Sequence, residues 1–151
     1  MQLTRYTDYS LRVLIYLGVN PGRLVTISEI ADSYSISGNH LMKIVNKLGI
    51  WGYIRTVRGK NGGIRLAFDP KDINIGEVVR KTEDRFDLAE CFNPESNACP
   101  LVSCCSLTHV LREGVKSFFS VLDKYTLADM LANSEEIADL LSEREPIAKA
   151  G

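Results

Sequence analysis

No stretch of this chain approaches the roughly eighteen consecutive apolar residues that a membrane-spanning helix needs, so no membrane partner is expected. The opening, MQLTRYTDYSLRVLIYLGV, scatters Arg5, Asp8 and Arg12 through its apolar pattern. It therefore lacks the charged-then-apolar order of a secretory signal, and a cytoplasmic location is expected. Common catalytic signatures are missing too. There is no glycine loop to cradle phosphate, no nucleophile–base pair and no carboxylate dyad, so the expectation is that the chain is not an enzyme. What remains is ordinary: 151 residues, 45% hydrophobic and 25% charged, enough for one substantial core with an appendage.

Cysteine is scarce, and its placement is uneven. All four cysteines fall within Cys91–Cys105, CFNPESNACPLVSCC. The prolines, asparagines and serines between them are loop chemistry. In a compartment that keeps thiols reduced, disulfides are an unexpected use for such a cluster, whereas neighbouring thiolates on a loop suit a soft metal. The segment reads as a metal or iron–sulfur site.

Net charge is nearly absent as well, at −1, but the total hides an asymmetry. Residues 1–66 hold nine Lys/Arg against three acids, a balance of +6, which leaves −7 for the remainder. A basic half joined to an acidic half points to one part that meets a polyanion and another that does not.

Along residues 4–19, Tyr6, Val13, Leu14 and Leu17 recur near helical spacing, with Thr7 or Asp8 as the cap and Pro21-Gly22 as the stop. Thr26-Ile27-Ser28-Glu29 is a capping-box pattern that opens a short second helix. Ser37 is placed to cap a third, Gly38 to Leu48, with Leu41, Ile44, Val45 and Leu48 on one face. Asn39, His40, Lys43, Asn46 and Lys47 lie on its other face. Two short helices joined by a tight turn, the second polar and basic outside, describe a helix-turn-helix. Strands over 53–58 and 64–67 flank Gly59-Lys60-Asn61-Gly62-Gly63, a strong hairpin signal. With Arg58, Lys60 and Arg65 at its tip and flanks, the hairpin reads as a DNA-binding wing.

Asp72 to Lys81 predicts a further short helix. Leu107, Leu111, Val115, Phe118, Leu122 and Tyr125 form one seam of a long helix, widened by Val110 and Phe119. A wide apolar stripe beyond a small winged domain is expected to pack on a partner subunit, giving a symmetric pair on a near-palindromic site in double-stranded DNA. Thr126 and Asp129 cap a last short helix, and Glu143 onward reads as a frayed tail.

These pieces resemble the winged-helix iron–sulfur repressors of the NsrR/IscR family, over nearly the whole chain. The carriers are MQLTRYTDYSLRVLIYL, SISGNHLMKIVNKL, VRGKNGGIRL, the cysteine loop and DKYTLADML. The TDY start, the RGKNGG wing tip and YTLADM are most similar to the NsrR-like, nitric-oxide-sensing branch. The resemblance implies a mainly α fold with a small β-hairpin. Its parts would be a winged helix-turn-helix DNA-binding domain over 1–81, a cysteine-rich cluster-binding loop over 82–106, a dimerisation helix over 107–125, and a C-terminal helix and tail over 126–151. It implies a homodimer holding an iron–sulfur cluster, 4Fe-4S with 2Fe-2S as the alternative. Cys91, Cys99 and Cys105 would be ligands, with Asp8 of the partner subunit as the fourth.

The sequence departs from the family pattern in the seven-residue gap between Cys91 and Cys99 and in the additional Cys104. Adjacent cysteines diverge, so Cys104 and Cys105 would not both reach one cluster, and the resemblance favours Cys105 over Cys104 because a five-residue gap after Cys99 fits the family spacing. His109, one helical turn on, is the rival to Asp8. Ser37, Asn39, His40 and Lys43, with Arg58, Lys60 and Arg65 of the wing, are the expected DNA contacts. The implied function is a transcriptional repressor that senses nitric oxide through its cluster. The alternatives are a same-fold regulator reporting redox state or cluster supply through 2Fe-2S, or a zinc-stabilised DNA-binding protein.

Overall fold

The computed structural model describes residues 2–143. Helix α1 (Arg5–Gly18) is the hub. Its buried stripe includes Val13, Leu14, Tyr16 and Leu17, and it packs against the third helix, the hairpin and two later helices. The cap is Thr4, not Thr7 or Asp8: the Thr4 hydroxyl accepts the Thr7 N–H at 3.3 Å. Thr7 is instead fully buried, so the helix begins one turn earlier than the apolar spacing implies.

Helix α2 (Ile27–Tyr34) carries the expected capping box, with the Glu29 N–H donating to Thr26 Oγ1 at 3.2 Å and the Thr26 N–H to Glu29 Oε2 at 2.7 Å. Helix α3 (Gly38–Ile50) buries Leu41, Ile44, Val45 and Leu48 as its spacing predicts, and runs on through Gly49. Ser37 holds the N-cap position, but its side chain makes no capping hydrogen bond. Its backbone carbonyl alone serves the helix, accepting from His40 and Leu41. The hydroxyl is thereby left at the exposed front of α3.

The hairpin pairs β1 (Ile54–Val57) with β2 (Gly63–Leu66) antiparallel, and Val25 bridges to Ile64 on the outer side of β2. A Cβ on Gly62 would collide with the Val57 carbonyl, so the turn needs glycine there. Helix α4 (Ile75–Thr82) follows, capped by Asn74. The helix beyond the cysteine loop, α5, spans Ser106–Leu122 and stops short of Tyr125. The chain turns there because the Tyr125 carbonyl accepts the Ile75 N–H at 3.0 Å and Asn74 bridges to Thr126.

The apolar seam of α5 is divided. Phe119 is buried, and Val115, Phe118 and Leu122 pack against the same chain's core, while Leu107, Val110 and Val121 stay exposed. The C-terminal half of the seam therefore serves this chain itself. Two helices end the described chain, α6 (Leu127–Met130) and α7 (Ser134–Ser142). Apart from Glu143, the frayed tail expected from sequence lies outside the described residues. No described helix is long and apolar enough to cross a membrane.

Candidate nucleic-acid interface and cysteine loop

The buried face of α3 fixes which residues point outward. Ser37, Asn39, His40 and Lys43 are all exposed at its front, as are Arg58, Lys60 and Arg65 on the hairpin. The register adds a residue that sequence reading passed over. Arg55 sits directly opposite Arg65, and both are exposed. Like charges facing each other across a ladder destabilise a hairpin. A polyanion laid against it reverses the sign, since both guanidiniums can hold phosphate oxygens. Only the strand register reveals the pair, because Arg55 and Arg65 are far apart in sequence.

The root of the cysteine loop is tied to the start of α1. Glu83 is buried, and its carboxylate accepts both the Thr4 N–H at 2.7 Å and the Thr4 hydroxyl at 3.0 Å. Phe86 packs edge-on against Phe119, with centroids 4.5 Å apart. Beyond these anchors the loop folds on itself. The Glu90 carboxylate accepts the Ala98 N–H, which draws the residue before Cys91 to the residue before Cys99. The seven-residue gap is thus closed by a carboxylate at its mouth. Within it, Asn93 accepts from the Glu95 N–H and Asn97 from the Cys99 N–H, each at 3.1 Å.

Cys105 is the N-cap residue of α5, and the Thr108 hydroxyl, in that helix's first turn, donates to Cys91 Sγ at 3.4 Å. Two thiols fourteen positions apart therefore meet one helix start. The Thr108 N–H and hydroxyl hold the Cys105 thiol below the ordinary thiol range, against the opposing effect of burial and with help from the Leu107 N–H. Nothing in sequence marks Thr108 except its position three residues after a cysteine cap. Cys104 turns away: it is exposed, with its Sγ 3.6 Å from the Leu101 carbonyl.

The full expected ligand set does not converge. Among the described residues, no three His, Cys, Asp or Glu side chains are grouped to hold a metal ion. Asp8 lies on α1, bound by Arg12 at 2.9 and 3.0 Å, and Arg12 in turn lies over the Tyr9 and Tyr34 rings. His109 is exposed on α5.

Residues 3–133 match the Rrf2 family, described as iron-dependent transcriptional regulators. The HTH-type transcriptional regulator NsrR of Bacillus subtilis is 56% identical over 146 residues, spanning 96% of this chain and 100% of that relative. Its namesake in Bacillus licheniformis is 57% identical over 143 residues, spanning 94% and 100%. Among solved structures, T. potens IscR superposes with a TM-score of 0.71 at 28% identity, covering 91% of this chain and 90% of that one. The B. subtilis global cysteine regulator CymR gives 0.66 at 25%, covering 88% and 98%.

Proposed function

The chain belongs to the Rrf2 family, and on that premise we propose that it is a homodimeric repressor whose iron–sulfur cluster senses nitric oxide and whose operator is released when the cluster is lost. It is a DNA-binding transcriptional regulator, as its relatives are, and not an enzyme. The observation that carries the finer reading is the loop's own wiring. One hydrogen bond, Glu90 to Ala98, draws together the segments bearing Cys91 and Cys99, and Thr108 joins Cys91 to the helix that Cys105 caps. This donor set fits an iron–sulfur group: three thiols, one of them already acidified at a helix N-terminus, with hydrogen-bond donors aimed at sulfur.

Cys91, Cys99 and Cys105 of one subunit would hold the cluster, four-iron with two-iron as the alternative, together with Asp8 of the partner subunit. When bound, it would supply iron that is reactive toward nitric oxide, and Asp8, a carboxylate among thiolates, would be its most weakly matched ligand. The protein's part is mechanical. Asp8 exchanges its bond to Arg12 for the partner's loop, and the exposed fronts of two α3 helices are set at a fixed separation. Arg58, Lys60 and Arg65, with Arg55, neutralise phosphates, while Asn39, His40 and Lys43 face the groove. Shifting such a dimer from about 99% to about 1% competent takes roughly 5.5 kcal/mol of differential stabilisation.

Anaerobic purification tests this. The expected result is a coloured, iron- and sulfide-containing dimer that binds its operator and loses it on titration with nitric oxide. A colourless zinc protein, or operator binding unchanged throughout the titration, would overturn the assignment.

A further inference from the structure

The exposed face of α3 runs along a recess of about 710 Å³. Lys43, Asn46 and Lys47 line it from α3, Trp51 from that helix's C-cap, and Lys81 and Arg85 from the end of α4 and just beyond. The buried side chains Leu41, Ile44, Val45 and Leu48 fix the outward direction of α3. At about 100° per residue, the opposite arc is centred on Asn39, Lys43 and Asn46. The recess therefore adjoins the face proposed to meet DNA. Neither Ser37 nor any residue of the hairpin lines it.

Positive charge is concentrated there. Lys43, Lys47 and Lys81 form no salt bridge among the described residues. Arg85 has only long contacts, to Asp87 at 3.8 Å and Glu95 at 3.6 Å. Of the two acids on the lining, Glu83 is buried and bound by Thr4, and Asp84 alone is exposed. Cations gathered with so little counter-charge repel one another, and an anion seated among them removes that cost. Lys81 is also held in place. It donates to the hydroxyl of buried Tyr53 at 3.1 Å, and its Nζ lies 4.7 Å from that ring's centroid. An ammonium has three N–H donors, so two remain for a ligand whose seat is formed in advance.

We infer that this recess takes a backbone phosphate of the operator, held by Lys47 and Lys81, so that the chain's DNA footprint continues past α3 onto the end of α4. The inference rests on the reading that α3 meets DNA, and it adds a helix outside the helix-turn-helix and the wing. A free phosphate carries the same chemistry, but the lining on the outward arc of α3 favours the DNA backbone. Phosphates are alike whatever the base, so Lys47 and Lys81 set how the chain sits and leave base choice to the front of α3. Lys81 also stands two residues before Glu83, where the cysteine loop is tied to α1. A phosphate held there puts the loop's root beside the DNA backbone.

The test measures operator binding by the full chain, purified without oxygen, across a range of salt. Lys47→Ala and Lys81→Ala are each expected to flatten the log–log slope by about 0.9 and to weaken binding to operator and unrelated DNA alike. Lys81→Gln keeps a donor for the Tyr53 hydroxyl and deletes the charge. It should flatten the slope equally, with the fold unchanged in circular dichroism. Parental slopes in Lys81→Ala and Lys81→Gln overturn the inference. A second arm follows the fluorescence of Trp51, the sole tryptophan, on titration with inorganic phosphate. A response that Lys81→Gln abolishes, together with a parental slope, assigns the recess to a free phosphate and also overturns it. Asn39→Ala/His40→Ala tests the reading beneath, since neither residue lines the recess. Parental preference for the operator in that variant sinks the α3 reading. Lost preference there, with parental slopes in the Lys47 and Lys81 variants, sinks the recess assignment alone.

Discussion

Replacing Thr108 with valine keeps the side chain's shape and deletes the hydroxyl that reaches Cys91. Hydrogen-bond donors of this kind tune metal sites strongly, and their removal costs roughly 10–100-fold in metal affinity. Thr108→Val is expected to lose iron to a chelator at least about tenfold faster than the parent, read from decay of the cluster absorbance. In the iron-free protein the same change raises the Cys105 thiol toward its ordinary value, because a donor that favours thiolate is gone. The pH profile of alkylation at Cys105 should therefore move upward. Cys104, exposed and turned to the Leu101 carbonyl, is expected to be dispensable: Cys104→Ser keeps the spectrum. On the wing, Arg58→Ala is expected to flatten the salt dependence of operator binding by about 0.9 in log–log slope, one phosphate contact's worth. An unchanged slope removes Arg58 from the interface. The cysteine cluster and the basic wing stand out in the chain because their residue types are rare or grouped there. Thr108 and Arg55 do not, because a helix register and a strand register give them their neighbours.

The junction of α4 and α5 is held by Arg80, which grips Asp123 with both guanidinium nitrogens at 2.6 and 2.7 Å and lies 4.3 Å over the Phe119 ring. Gly76 makes room for this clamp, since a Cβ there would run into the Asp123 carboxylate. Gly76→Ala is expected to destabilise the protein by about 1–3 kcal/mol, seen as a lower midpoint in thermal unfolding. The clamp also has a pH signature. Arg80 holds the Asp123 carboxyl below its ordinary range, so its contribution is fully present above the unfolded carboxylate pKa and is lost as pH falls through the depressed folded value. Asp123→Asn should remove that acid-side loss from the melting curve. At this scale sequence reading succeeded where one residue type does one job, as in the Thr26–Glu29 box and the apolar face of α3. It failed at ends set by tertiary contact. α5 stops early because the Tyr125 carbonyl serves the first N–H of α4, and Ser37 holds the N-cap position of α3 through its backbone carbonyl without a side-chain capping bond.

Across the whole molecule, the divided seam of α5 separates two duties. Phe119, with Val115, Phe118 and Leu122, closes this chain's own core, while Leu107 and Val110 in its first half remain exposed, the face that the proposed dimer would use. Changing Leu107 and Val110 together to glutamate is expected to leave the fold intact and abolish the dimer in sedimentation velocity, with operator affinity falling by at least about a hundredfold as the second half-site contact disappears. A stable dimer carrying both glutamates would place the subunit contact elsewhere. The hydrogen bonds from Thr4 to Glu83 and the packing of Phe86 on Phe119 pin the cysteine loop at its beginning, and α5 pins it at its end. A strand of chain moored at both banks slackens when emptied but does not drift. The entropy of gathering its thiols again is that of a short closed span rather than a free tail. Under the proposed function, recovery after a burst of signal would therefore depend on how fast iron and sulfide are resupplied, and silencing would return on molecules already made.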